Sequence, residues 1–183
     1  MLSKSFERSV IRVFLLSILL CMYISTYGQN SIRRLKNYVP ISEKLHTCGQ
    51  ITGDALDVLK KEGVKAIISV NAEEFGAIES LKRQARGQGI DFVNVPVSWE
   101  DPTISSLEDF FEAMDKYQEV EILVHCQLNW RASAYVYLYR TIRLKESKKE
   151  AQKALRKIWN PEKYDAWNAF FKQAEKHFSE IDK

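Results

Sequence analysis

A three-layer α/β sandwich around a central, mostly parallel sheet is the fold this sequence predicts, and three observations point to it. From residue 45 onward, short Val- and Ile-rich runs alternate with segments of helical period. The third strong strand candidate, Val120–His125, leads through a short loop into a stretch that is apolar on nearly every side (Ala132, Ala134, Tyr135, Val136, Tyr137, Leu138, Tyr139), as a buried helix would be. The 183 residues are 45% hydrophobic and 28% charged, which suits one core of ordinary size and no repeat array. Alternation of this kind gives a sheet covered by helices on both faces.

Each element has a local signal. Leu45-His46-Thr47-Cys48 reads as a short extended segment. Thr52 is placed to cap a helix that runs through Leu56 and Leu59 to Lys61, with Gly63 closing it. Val64–Val70 reads as a buried strand, and Ile78, Leu81 and Ala85 mark one face of a second helix ending by Gly87. Ile90–Val97 is the next strand. Ser105-Ser106-Leu107-Glu108 has the form of a capping box, with Leu107, Phe110, Phe111 and Met114 at helical spacing behind it. After Val120–His125, a helix is expected from Arg131 to about Lys145, then a basic amphipathic helix at Ser147–Ile158. Asn160 and Pro161 open the last one, whose packing stripe is Trp167, Phe170, Phe171, Ala174 and Phe178.

The N-terminus reads differently. Lys4, Arg8 and Arg12 precede an apolar run, Val13–Ile24, and Ser25-Thr26-Tyr27-Gly28 supplies small residues before Gln29. This is the three-part form of a secretory signal, and about 12 apolar residues fall short of the roughly 20 that span a bilayer. The expected organisation is a signal at 1–28, a polar lead-in at 29–44 and a domain at 45–180. The protein is expected to be exported, periplasmic or extracellular, with a signal anchor as the alternative and no stable span once the signal is removed. The formal net charge of +3 falls to +1 without Lys4, Glu7, Arg8 and Arg12, so nothing favours a nucleic-acid partner. Of the three cysteines, Cys48 and Cys126 remain, too few for a disulfide scaffold. No His, Cys and carboxylate cluster has metal-ligand spacing, and no glycine-rich nucleotide loop occurs, so no metal or cofactor is expected. His46 and His177 read as satisfied or surface histidines.

The chemistry concentrates after the third strong strand. Ligands of open α/β sheets bind beyond the carboxyl ends of the strands, and Cys126 sits there. A turn and a helix N-terminus attract an anion and favour a thiolate, and an arginine fork matches phosphate oxygens. Together they suit attack by sulfur on a phosphate ester. His125-Cys126-Gln127-Leu128-Asn129-Trp130-Arg131-Ala132-Ser133 resembles the His-Cys-x5-Arg-Ser/Thr signature of the cysteine-dependent protein-tyrosine and dual-specificity phosphatases. Gly49-Gln50 ahead of the first helix, and Val95-Pro96-Val97-Ser98-Trp99 leading into Glu100-Asp101-Pro102-Thr103, also lie where small bacterial members of that family would have them. The resemblance covers about residues 40 to 175.

The resemblance implies a phosphotyrosine phosphatase-like fold and hydrolysis of phosphate monoesters, phosphotyrosine among them, through a phosphocysteine. It implies Cys126 as nucleophile, Arg131 on the phosphate, Ser133 in breakdown of the intermediate, and His125 orienting the loop and helping to keep the thiolate. Gln127, Leu128, Asn129 and Trp130 would form the phosphate cradle, and Asp101, with Glu100 second, would be the general acid. The partner implied is a phosphate-ester substrate, a phosphoprotein included.

One departure matters. Four residues separate Cys126 from Arg131, one fewer than in the signature, and Asn129 replaces the usual glycine. Asn best tolerates a left-handed backbone among the larger residues. Two other readings therefore stay open: a phosphatase-like module that binds an anion or a partner without turnover, and a rhodanese-like sulfurtransferase, whose cysteine loop is shorter. Cys48 ends the first strand, and a reversible disulfide with Cys126 is a further expectation, set against a simple buried thiol. Trp99 and Trp130 either wall the pocket or only pack.

Overall fold

The computed structural model describes residues 31–72 and 75–181, together with residue 17. The chain divides into two units, Met1–Ser31 and Ile32–Lys183, and the second is described here. The signal expected at 1–28 lies outside the described residues, residue 17 apart.

Five strands form one sheet in the order β1-β2-β5-β3-β4: β1 is Val39–Pro40, β2 Leu45–Cys48, β3 Ala66–Ser69, β4 Asp91–Asn94 and β5 Ile122–His125. All pairings are parallel except β1 with β2. Among the described residues, six helices of at least two turns accompany them: α1 Gly53–Lys61, α2 Phe75–Gly87, α3 Ile104–Tyr117, α4 Trp130–Leu138, α5 Lys148–Arg156 and α6 Asp165–Ile181.

Strand alternation sorts the core into two layers. Ile67 and Leu123 face a layer with Leu56, Leu59, Ile78 and Leu81 from α1 and α2. Ile68, Ile122 and Val124 face the other, with Phe110, Tyr135, Leu155 and Trp167 from α3 to α6. Each such side chain, when fully buried, stabilises the fold by about 1.5–3 kcal/mol. Strand β5 enters between β2 and β3, where the chain switches from helices on one face to helices on the other. The crevice at this switch point is where such sheets bind ligands.

The structure departs from several local expectations. Within the lead-in, residues 32–40 supply two short elements of the fold. A short 3-10 turn at Ile32–Arg34 and strand β1 join it, and Ile32 and Val39 are buried. The cap of α3 is Thr103, whose hydroxyl accepts from the Ser106 N–H at 3.2 Å, so the helix starts at Ile104 and the Ser105–Glu108 box is not used. The helix after the loop does not run on to Lys145. It ends at Leu138 and widens into a π turn at Tyr139–Arg143. There the Thr141 hydroxyl donates to the Tyr137 carbonyl at 3.0 Å and loosens the regular ladder. Asn160 caps only a single 3-10 turn, Pro161–Lys163, and α6 begins at Asp165.

Candidate active site

Strand β5 ends at His125, and the chain turns through Cys126–Asn129 into α4. Asn129 takes the N-cap position in a left-handed conformation, φ 66°, as its residue type allows. The loop's carbonyls are held from outside. The Gln127 carbonyl accepts from the Gln50 N–H at 3.0 Å, and the Leu128 carbonyl accepts from Asn37 Nδ2 at 3.0 Å. A peptide's C=O and N–H point in opposite directions. Holding those two carbonyls on residues 50 and 37 therefore points the N–H groups of Leu128 and Asn129 away from that segment. The first N–H groups of α4, from Trp130 and Arg131, have no intrahelical acceptor and add to them. The result is a concentration of donors at a helix N-terminus, the arrangement that holds an anion.

Residues 36–50 form the brace. Asn37 is also left-handed, φ 50°, and its carbonyl accepts from Asn129 Nδ2 at 2.6 Å, so Asn37 is bonded to both Leu128 and Asn129. Asn129 Nδ2 also donates to the Thr47 hydroxyl at 3.0 Å. The Gly49 N–H donates to the Lys36 carbonyl at 2.6 Å, and a Cβ at residue 49 would lie 3.0 Å from the Gln127 carbonyl. Only glycine lets that loop approach so closely. Asn37 and Lys36 lie outside every sequence motif named above, and Thr47 figures there only as part of a strand. The available signal was the polar, turn-forming Lys36-Asn37 pair before an apolar residue.

Arg131 lies in the first turn of α4, and its Nη1 donates to the Val97 carbonyl at 2.8 Å. That bond ties the helix to the segment carrying Glu100 and Asp101. A groove of about 520 Å³ is lined by Arg131, Asp101, Glu100 and Trp99, so the structure brings the arginine and both candidate acids together. The Asp101 N–H donates to Ser98 Oγ at 3.2 Å, while Ser98 Oγ donates to Glu100 Oε2 at 3.4 Å. Glu100 is thus engaged by its neighbour, whereas the Asp101 carboxylate makes no hydrogen bond or ion pair among the described residues. Asp101 is the freer of the two to exchange a proton with a ligand.

Packing fixes the acid segment from behind. Trp99 has its ring centroid 5.3 Å from Trp130, 5.3 Å from Trp159 and 5.2 Å from Trp167. Trp130 and Trp159 stack at an interplanar angle of 5°. Trp167 Nε1 donates to the Trp99 carbonyl at 3.0 Å. Trp99 therefore both packs and lines the groove. Ser106 Oγ and the Tyr135 hydroxyl, 2.7 Å apart, join α3 to α4 beside it.

The surroundings of Ser133, His125 and Cys48 bear on the three other roles expected here. The Ser133 hydroxyl donates to the Trp130 carbonyl at 3.0 Å and accepts from Trp159 Nε1 at 3.2 Å, so it serves the tryptophan cluster. The His125 ring is fully buried against Phe92. Burial holds its pKa down at about 4, against a smaller opposing effect of the Cys126 backbone. A neutral His125 lends no positive charge to a thiolate. The third role is the Cys48–Cys126 disulfide. Both thiols are free and buried, and they belong to opposite core layers. Burial first, and the neighbouring Cys126 second, push the Cys48 thiol up, away from the thiolate that exchange requires. His46 is satisfied, lying 2.9 Å from the Tyr38 hydroxyl and 3.0 Å from Glu121 Oε1. Among the described residues no group of three or more His, Cys, Asp or Glu side chains is placed to hold a metal ion.

A family profile described as "DSP-PTPase phosphatase fused to NAD+ Kinase" matches residues 31–172. A DUF442 phosphatase from Shewanella putrefaciens superposes with a TM-score of 0.69 at 26% identity, covering 80% of this chain and 93% of that one. Tk-PTP in its active form gives 0.64 at 15% identity, over 76% and 97%. P. aeruginosa TpbA, crystallised as a cysteine-to-serine variant in complex with phosphotyrosine, gives 0.58 at 13% identity, over 73% and 81%. Among curated proteins no match was found.

Proposed function

The chain belongs to the dual-specificity-type phosphatase family whose profile spans residues 31–172, and on that premise we propose that it hydrolyses phosphate monoesters through a phosphocysteine formed on Cys126. The observation that carries this reading is the anchoring of the Gln127 and Leu128 carbonyls on residues 50 and 37. It points the N–H groups of Leu128 and Asn129 away from that segment despite a loop one residue short. The same observation weighs against a phosphatase-like module whose cradle has collapsed.

In this reading the Cys126 thiolate attacks phosphorus, and the S–P bond forms as the P–O bond to the alcohol breaks. The loop N–H groups and the Arg131 guanidinium hold the equatorial oxygens where charge gathers. Asp101 gives its proton to the departing oxygen. Water then attacks the phosphocysteine, losing its proton to the Asp101 carboxylate, and the thiolate and inorganic phosphate are released. Ser133 has no part in these steps. Export belongs to the same proposal and rests on the charged and apolar pattern of residues 1–28. No helix among the described residues is long and apolar enough to cross a membrane.

An aryl phosphate assay of the wild type, Cys126→Ser and Arg131→Ala tests the proposal. Turnover is expected to vanish in the first variant and to fall by about 10²–10³ in the second. A folded, fully reduced wild type without turnover would overturn it, and thiosulfate-to-cyanide transfer would then point to the sulfurtransferase reading.

A further inference from the structure

A second cavity, of about 310 Å³, adjoins the acid-bearing groove along Ala72 and Arg131. Its size is at the small end of the roughly 300–1,000 Å³ usual for ligand sites. Four amide side chains from four segments line it: Gln50 ahead of α1, Asn71 after β3, Gln84 on α2 and Gln127 in the cysteine loop. Among the described lining residues Arg131 carries the one charge, and none is aromatic.

The amides are oriented by the protein itself. Gln50 Nε2 donates to the Ile51 carbonyl at 3.3 Å, Asn71 Nδ2 to Ser69 Oγ at 3.4 Å, and Gln84 Nε2 to Ser80 Oγ at 3.2 Å. Each of the three thus presents a carbonyl oxygen that can accept, and Gln50 and Asn71 each keep a second N–H that can donate. Gly53 makes room for Gln84, because a Cβ at residue 53 would run into Gln84 Oε1. A wall of neutral amides beside a phosphate-binding arginine suits a molecule with several hydroxyl groups, which both donate and accept. A phenyl ring would leave these amides without partners, where hydroxyl groups pair with them.

Building on the phosphatase reading above, we propose that this cavity seats the alcohol half of the substrate and that this half is a neutral polyol. The preferred esters are then sugar or polyol monophosphates, and phosphotyrosine is a poorer substrate. The bond chemistry is unchanged: the P–O bond breaks, phosphorus passes to Cys126 Sγ, and the polyol leaves with the proton from Asp101.

The test compares kcat/KM of the full chain for glucose 6-phosphate and glycerol 3-phosphate with those for phosphotyrosine and p-nitrophenyl phosphate. Wild type, Gln84→Leu and Gln50→Leu are measured side by side, with circular dichroism to verify folding. Glucose 6-phosphate is expected to exceed phosphotyrosine in kcat/KM, and the ratio of glucose 6-phosphate to p-nitrophenyl phosphate should fall about tenfold in each variant, the loss of one hydrogen bond to the bound ester. A wild type that prefers phosphotyrosine, or a ratio that neither variant moves, would overturn the proposal while leaving a phosphatase in place. Absence of Cys126-dependent turnover on all four esters would instead remove the phosphatase reading, and this inference with it.

Discussion

The loop that runs from Cys126 to Arg131 is gripped on one flank by hydrogen bonds from residues 36–50 and on the other by tryptophans, and the two flanks fix different things. On the first, Asn37 and Gln50 hold individual carbonyls at 3.0 Å each. Hydrogen bonds are directional, so this flank sets where the loop's N–H groups aim. On the second, Trp130 rests on Trp159 and Trp99, which also carries the acid segment. Packing is not directional but is large, so this flank sets how far the acid stands from the cradle. One side governs the orientation of dipoles, the other the placement of mass.

Breaking the packed flank should have the largest effect on stability. Trp167 is fully buried and bonds the Trp99 carbonyl. Trp167→Ala is expected to cost about 3–5 kcal/mol, read as a lowered denaturation midpoint. A loss under about 1 kcal/mol would mean that the cluster contributes less than a buried aromatic ordinarily does.

A second effect comes from His125, which ends β5 beside Cys48 and faces the α1–α2 layer. Its pKa is lowered from 6.5 to about 4 in the fold, so the unfolded chain binds the proton first as pH falls. The stability it lends is complete above about pH 6.5 and is lost progressively down to about pH 4, some 3 kcal/mol in all. Urea unfolding of wild type and His125→Asn between pH 7 and pH 4 should show this slope in the wild type alone. Equal slopes would contradict it.

The smallest loss of stability belongs to the clasp. Asn37→Gly keeps the left-handed backbone open and deletes one donor, which should cost about 1–2 kcal/mol. Its effect on kcat should nonetheless exceed that of a surface substitution giving the same drop in stability, because it frees the Leu128 carbonyl to rotate. If kcat follows stability alone, the two flanks do not divide their roles in this way.

The layers of the fold were legible because their signals are local and repeated. Val and Ile runs mark β3 and β5, and Ile78, Leu81 and Ala85 face the core as their spacing predicts. The loop was legible too, down to the left-handed Asn129, since residue type alone restricts φ there. What escaped was nonlocal. Nothing in the sequence around Asn37 says that its amide meets a loop 91 positions away. Ser133 keeps a familiar spacing from Cys126, yet its hydroxyl turns to Trp159, a partner set by the packing of a later segment. The Ser105–Glu108 box lost to Thr103 because Ser106 Oγ also bonds the Thr103 carbonyl at 2.9 Å, a reciprocal grip one turn earlier.

All four tryptophans of the chain, at 99, 130, 159 and 167, stand in the one cluster behind the acid segment and the loop. Their near-ultraviolet emission therefore originates within a single neighbourhood instead of averaging over the molecule. Whatever shifts the segment bearing Asp101, or draws Trp130 off Trp159, alters the quenching of every emitter together. The protein thus carries a built-in optical gauge of its own cleft, readable in solution without a dye, a label or a substituted residue.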